Sequence, residues 1–216
     1  MNTQEIIQKT ERYILTEFSS EGSGHDWFHI DRVRKMALRI GQSEDCDLFQ
    51  VEMAALLHDL DDWKLTGSDS HYPSGAKKWL DKMEILEETS NCILRIIEDV
   101  SYMGAGTETH VRSVEASVVQ DADRLDAIGA LGIARTFAYG GHKNRLIYDP
   151  SIPSVMHNDF ESYKSSTAPT INHFYEKLLL LKDRMNTKTA QIIAQKRHQF
   201  MQEYLTQFFE EWEAAK

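Results

Sequence analysis

Between Val51 and Leu57 the chain carries a single polar residue, Glu52, and it then reaches His58, Asp59, Asp61 and Asp62. A helix this apolar is hidden on nearly every side, so it has to run through the middle of a helical protein. The four titratable groups at its end cannot follow it into the interior uncompensated, because a buried, unpaired charge is costly. Either they come to the surface, or a cation meets them.

The rest of the chain reads as helix nearly throughout. Ile6, Ile7, Tyr13, Ile14 and Phe18 recur at helical spacing, as do His29, Val33, Met36, Ala37 and Ile40 after the breaker Ser19–Gly24. The central helix is expected over Phe49–Trp63. A polar loop, Thr66–Gly75, follows, with Ser74 placed to cap the next helix. Further helices are expected over Asn91–Val100 and Arg112–Tyr139, the second broken near Asp121 or Gly129. Residues Gly140–Thr167, with Gly140, Gly141, Pro150 and Pro153, show little periodicity and predict a long ordered loop, a length that often serves function. Helices resume over Ile171–Met185 and from Lys188 onward, with Asn186-Thr187 as turn and cap. The fold class expected is all-α. It is a single-domain helical bundle over residues 1–216, with a core at about 24–139, a loop at 140–167 and additional C-terminal helices at 168–216.

A formal net charge of -10 over 216 residues argues against nonspecific duplex nucleic-acid binding, where a basic face is the usual footprint. It leaves room for a small phosphorylated ligand, because a bound divalent cation supplies positive charge locally. Cys46 and Cys92 stand alone without CxxC spacing, which suits a reducing, cytoplasmic setting. The N-terminal stretch lacks a signal peptide's apolar centre, and Leu178–Leu181 is far too short to span a bilayer, so no membrane partner is expected. The aromatic-rich "FMQEYLTQFFEEWEAA" fits either a docked terminal helix or a homodimer contact, leaving monomer and homodimer both open.

An adjacent pair, His58-Asp59, offers one nitrogen and one carboxylate oxygen to a metal, and such an ion takes about four to six ligands. The missing ones should be His or Asp on the core-facing ends of neighbouring helices. His29 leads the apolar stripe of its helix in "GHDWFHIDRV", and Asp123 follows Val118-Val119 in "VVQDADRLDAIGA". Asp121 and Asp126 are alternatives to Asp123, and Asp123 could instead pair with Arg124 or Arg112. Asp26 reads as the N-cap of the His29 helix or as a partner of His29.

Taken in order, His29, His58-Asp59 and Asp123 form the pattern H…HD…D. With "FHIDRVRKMA", "ALLHDLDD" and "DADRLDAIGA" around them, residues from about Gly24 to Tyr139 resemble the HD-domain metal-dependent phosphohydrolase superfamily. "GIARTFAYGG" and "HFYEKLLLLKDRMNT" resemble a bacterial subgroup of HD hydrolases. The resemblance implies an HD-type helical bundle and one divalent transition-metal ion, Mn2+ first, with Fe2+, Co2+, Ni2+ or Mg2+ as alternatives. It also implies hydrolysis of a phosphoester or phosphoanhydride bond. The substrate expected is a small nucleotide, cleaved as by a pyrophosphohydrolase or a nucleotidase. Leu60-Asp61-Asp62 departs from the Glu-Asp pair of alarmone hydrolases, and no Gly-Tyr-Pro follows the HD. His71 and His110 lie in polar, turn-like contexts, so one metal is expected rather than two. A module of another class, holding a metal and sensing a nucleotide without turnover, satisfies the same pattern.

Further roles follow from position. On a continued helix Asp62 lies four residues from His58 and three from Asp59, beside the ion, with Asp61 more to the flank. Asp62, and second Asp61, are therefore the candidate catalytic acids. Arg32, one turn past His29, and His25, one turn before it, are candidate substrate contacts. His142, Lys143 and Arg145 in "GGHKNR" are the others, with Gly140-Gly141 letting backbone N–H groups approach an anion.

Overall fold

The computed structural model describes residues 2–19, 26–61, 72–100, 111–156 and 167–215, and among them there is helix but no strand. The described residues up to Asp123 form one compact unit and those from Arg124 onward a second.

In the first unit, α1 (Thr3–Glu17) begins with a capping box. Asn2 accepts from the Glu5 N–H at 2.9 Å, and the Glu5 carboxylate accepts in return from the Asn2 N–H. Helix α2 (Trp27–Gly41) starts at Asp26, whose carboxylate accepts from the His29 N–H at 2.8 Å, so Asp26 is a cap as its position suggests. Helix α3 (Leu48–Leu57) is capped by Asp47, and Val51 and Met53 through Leu57 are all wholly buried. It packs against α1, α2 and α5 (Glu87–Val100), which makes it the central helix that its apolarity demands. Helix α4 (Ser74–Lys82) lies on α5. It is tied to α1 by Trp79, which donates to Thr10 Oγ1 at 2.9 Å and stacks on Tyr13 at 4.0 Å.

Helix α3 stops six residues short of the expected Trp63. It ends at Leu57, and His58 to Asp61 form a turn in which the Leu60 N–H reaches only to the Leu57 carbonyl. The local reason is that the polar side chains take other partners: His58 turns its ring back on the Ala55 carbonyl, and Asp61 leaves for another helix. Ser74 is likewise not the cap expected. It is the first helical residue of α4, and the N-cap position is Pro73, whose apolar ring makes no capping hydrogen bond.

Helix α6 (Val114–Asp126) presents Val118, Val119 and Ala122 to the interior, and the chain breaks at Ala127-Ile128 before α7 (Gly129–His142), as the glycine suggests. In the second unit, α9 (Lys188–Trp212) packs on α7 and on a 3-10 helix (Leu178–Arg184), with short α8 (Asn172–Glu176) before it. Ile171–Met185 is therefore not one α-helix. The 3-10 helix has three residues per turn and buries Leu178 and Leu181 on one side. Thr187 caps α9 by accepting from the Ala190 N–H, as expected. Phe208, Phe209 and Trp212 at the end of α9 gather round Tyr148 of the same chain, with ring centroids 5.1–6.1 Å from it. No described helix is long and apolar enough to cross a membrane.

Candidate metal centre

Three helical segments of the first unit converge on one point. Helix α2 brings His29, the end of α3 brings His58 and Asp59, and α6 brings Asp123. His29, His58 and Asp59 are buried, at 1%, 8% and 5% exposure. Their ligand atoms all lie within 4.8 Å of one another. Asp59 sits between the two rings, with Oδ1 3.4 Å from His58 Nε2 and Oδ2 3.4 Å from His29 Nε2. Asp123 Oδ1 is 3.5 Å from His29 Nε2, and its side chain, 32% exposed, is the most open of the four.

These separations exceed an ordinary N–H···O hydrogen bond, which runs to about 3.2 Å. They suit donors sharing one ion: metal–ligand bonds of about 2.0–2.2 Å at near-tetrahedral or octahedral angles put neighbouring donors roughly 3.0–3.6 Å apart. The tautomer of His58 supports the same arrangement. Its Nδ1 lies 2.8 Å from the Ala55 carbonyl oxygen, which can only accept, so Nδ1 carries the hydrogen. That leaves Nε2 as the ring atom able to offer a lone pair, and this buried atom makes no hydrogen bond among the described residues. A backbone carbonyl behind a ligating histidine is a common way to fix its ring. Two imidazole nitrogens and two carboxylates therefore fit a divalent transition ion.

Of the alternatives to Asp123, Asp126 pairs with Arg135 at 2.6 Å, and Asp121 is fully buried on α6. Arg112 is held by Glu98 and Asp99 at 2.9 and 2.7 Å, which drives its pKa upward, and Arg124 donates to the Arg184 carbonyl. Cys46 is a half-buried thiol whose pKa is pushed up by burial and then by Glu115.

Asp61 has both carboxylate oxygens on the start of α4. It accepts from the Gly75 N–H at 2.8 and 2.9 Å and from the Ala76 N–H at 3.0 Å. Because α3 ends at Leu57, the helical spacing that placed Asp62 beside the ion does not carry through the turn. Asp62 lies outside the described residues, as do His25, His71 and His110. Arg32 is half-buried on α2, one turn from His29. His142, Lys143 and Arg145 belong to the second unit, where Lys143 Nζ and the Arg145 guanidinium both lie 5.7 Å from the centre of the Tyr139 ring. Gly140 and Gly141 are helical, not loop, and so their N–H groups serve α7 rather than an anion. A cavity of about 530 Å³ between α1 and α4, lined by Tyr13, Trp79, Lys9, Arg12 and Lys82, contains none of the four clustered residues.

With the geometry in place, comparison with known proteins decides the family. Residues 27–128 match the HD domain. The YpgQ protein of Bacillus subtilis, itself uncharacterised, is 40% identical over 204 residues, 94% of this chain and 90% of its own. The chain belongs to the HD-domain family. A Bacillus thuringiensis structure described as an HD-superfamily hydrolase is 44% identical at a TM-score of 0.77, covering 99% of this chain and 100% of its own. A structure of B. subtilis YpgQ in complex with ADP aligns at 38% identity and a TM-score of 0.75, over 95% of this chain and 97% of its own. The match to the HD domain brackets His29, His58, Asp59 and Asp123, the four residues that the fold brings together.

Proposed function

We propose that this protein is a metal-dependent phosphohydrolase that cleaves a phosphoester or phosphoanhydride bond of a small nucleotide. The observation that carries the reading is the buried group of His29, His58 and Asp59, with Asp123 at its open side. Membership of the HD family and a solved relative described as an HD-superfamily hydrolase support hydrolysis. The YpgQ complex with ADP supports a nucleotide as the ligand. The relatives match nearly the whole chain, which supports reading residues 1–216 as one functional HD-type domain.

His29, His58, Asp59 and Asp123 would hold one divalent ion, Mn2+ first among the candidates. Such an ion supplies Lewis-acid polarisation of a phosphoryl oxygen and a water nucleophile acidified toward neutral pH. The chain's own work is then to hold the substrate and move protons. Arg32, half-buried one turn from His29, is the proposed phosphate contact nearest in sequence to a ligand. His25, His142, Lys143 and Arg145 are the further proposed contacts. Asp62 is retained as the proposed proton acceptor, on its place in the sequence two residues after Leu60.

The test is to incubate pure Mn2+-loaded protein with a panel of nucleoside mono-, di- and triphosphates and follow phosphate and pyrophosphate release. Release that vanishes with chelator or in His58→Ala supports the phosphohydrolase. Nucleotide binding without release by fully loaded protein favours the sensing module instead.

A further inference from the structure

The turn that carries His58 and Asp59 is fixed at both ends. On the entry side the His58 ring is held by the Ala55 carbonyl of its own helix. On the exit side, two residues past Asp59, the Asp61 carboxylate is bound by the first N–H groups of α4. A helix begins with N–H groups that lack intrahelical acceptors, and α4 has only Pro73 at its N-cap. Asp61 therefore acts as the cap of a helix that starts 13 residues later in sequence. Its charge also suits the positive end of the helix dipole.

Gly75 shows how close this contact is. A Cβ at Gly75 would lie 2.9 Å from Asp61 Oδ1, 3.1 Å from Oδ2 and 3.3 Å from Cγ. The carboxylate occupies the space that any side chain would fill. Helix α4 is in turn a firm anchor. Trp79 is bound to Thr10, Thr10 donates to the Ile6 carbonyl, and Tyr13 stacks on Trp79 with its ring 8° from parallel.

We propose that Asp61 is a positioning residue for the metal centre: by clamping the exit of the His58-Asp59 turn to α4, it aims the Asp59 carboxylate at the point shared with His29, His58 and Asp123. This inference rests on the metal-centre reading. It gives Asp61 a task other than proton transfer, and it assigns Gly75 as the residue that makes the clamp sterically possible.

The test uses chelator-treated full-length protein titrated with Mn2+ alone, free Mn2+ being read by EPR well below the lowest melting temperature in the set. Three variants are compared with wild type: Asp61→Asn, Gly75→Ala and Thr187→Ala. The first removes the charge of the clamp. The second keeps every acid and ligand but displaces the carboxylate. The third removes the α9 cap in the second unit and serves as the stability control. The clamp predicts that Asp61→Asn and Gly75→Ala each weaken Mn2+ binding about 10- to 100-fold, the usual cost of losing a group that supports a ligand, whereas Thr187→Ala binds as wild type despite a lower Tm. If Asp61→Asn does not fold, Gly75→Ala carries the comparison. Wild-type affinity in either folded clamp variant, with only Tm reduced, makes Asp61 a plain helix cap and overturns the proposal. Failure of wild type itself to bind Mn2+ overturns the metal centre, and the clamp's function with it.

Discussion

Replacing Asp59 by Asn separates the cost of burying a carboxylate from its value as a ligand. Asp59 is 5% exposed and its two oxygens face two imidazoles, each at 3.4 Å. Whichever way an amide is turned, one imidazole nitrogen then faces an NH2 group and the anionic donor is gone. For wild type at a free Mn2+ concentration of about 100 times Kd, binding to the native state alone adds about 2.7 kcal/mol. For a chain of this length that raises Tm by roughly 5–11 °C, at about 2–4 °C per kcal/mol. A 100-fold loss of affinity leaves about 0.4 kcal/mol at the same Mn2+ concentration, a rise of only about 1–2 °C. Without metal the difference closes, since the stabilisation by Mn2+ is then absent from both proteins. Scanning calorimetry of chelator-treated protein with and without Mn2+ gives all four values. An Asp59→Asn variant stabilised by Mn2+ as strongly as wild type refutes the assignment of Asp59 as a ligand.

Three further outcomes are expected. Changing Lys143 and Arg145 together to Ala should raise KM or lower kcat/KM by about 10-fold or more with metal content unchanged, since a charge-assisted hydrogen bond contributes about 1.5–3 kcal/mol; unaltered steady-state kinetics would remove the pair as substrate contacts. Asp62→Asn should lower kcat by about 100-fold or more while Mn2+ binding and Tm hold, and wild-type turnover would remove Asp62 as the proton acceptor. Burial, and then the nearby Lys182, lower the pKa of His198, against smaller upward effects of Asp183 and the Leu179 carbonyl. The unfolded chain therefore binds the proton more tightly, so this contribution to stability is whole above about pH 6.5 and is lost as the pH falls below it. The drop in Tm between pH 7.5 and pH 5 should accordingly be smaller in His198→Gln, and an equal drop in the two proteins would contradict the sign.

Much of the site was legible because its residues sit beside strong local signals. His29 leads an amphipathic stripe, His58-Asp59 ends a helix with almost no polar face, and Asp123 follows two buried valines. The caps at Asp26 and Thr187 were legible for the same reason: a short polar side chain there reaches an N–H only three residues ahead. What was not legible depends on contacts distant in sequence. The end of α3 at Leu57 and the commitment of Asp61 to Gly75 and Ala76 come from the approach of a second helix, which spacing cannot show. One clue was present, since Pro73 before Ser74 leaves α4 without a side-chain cap of its own. Gly140 and Gly141 suggested a loop by composition, yet they continue α7, where Gly140 packs tightly against Thr170.

If His29, His58, Asp59 and Asp123 form one metal centre, protein purified without chelator carries the ion with it, and metal analysis reads it. Wild type should hold near one divalent transition ion per chain and His58→Ala almost none, since that variant removes one donor and leaves the other three. Full metal occupancy in folded His58→Ala would place the ion elsewhere and rule out this centre.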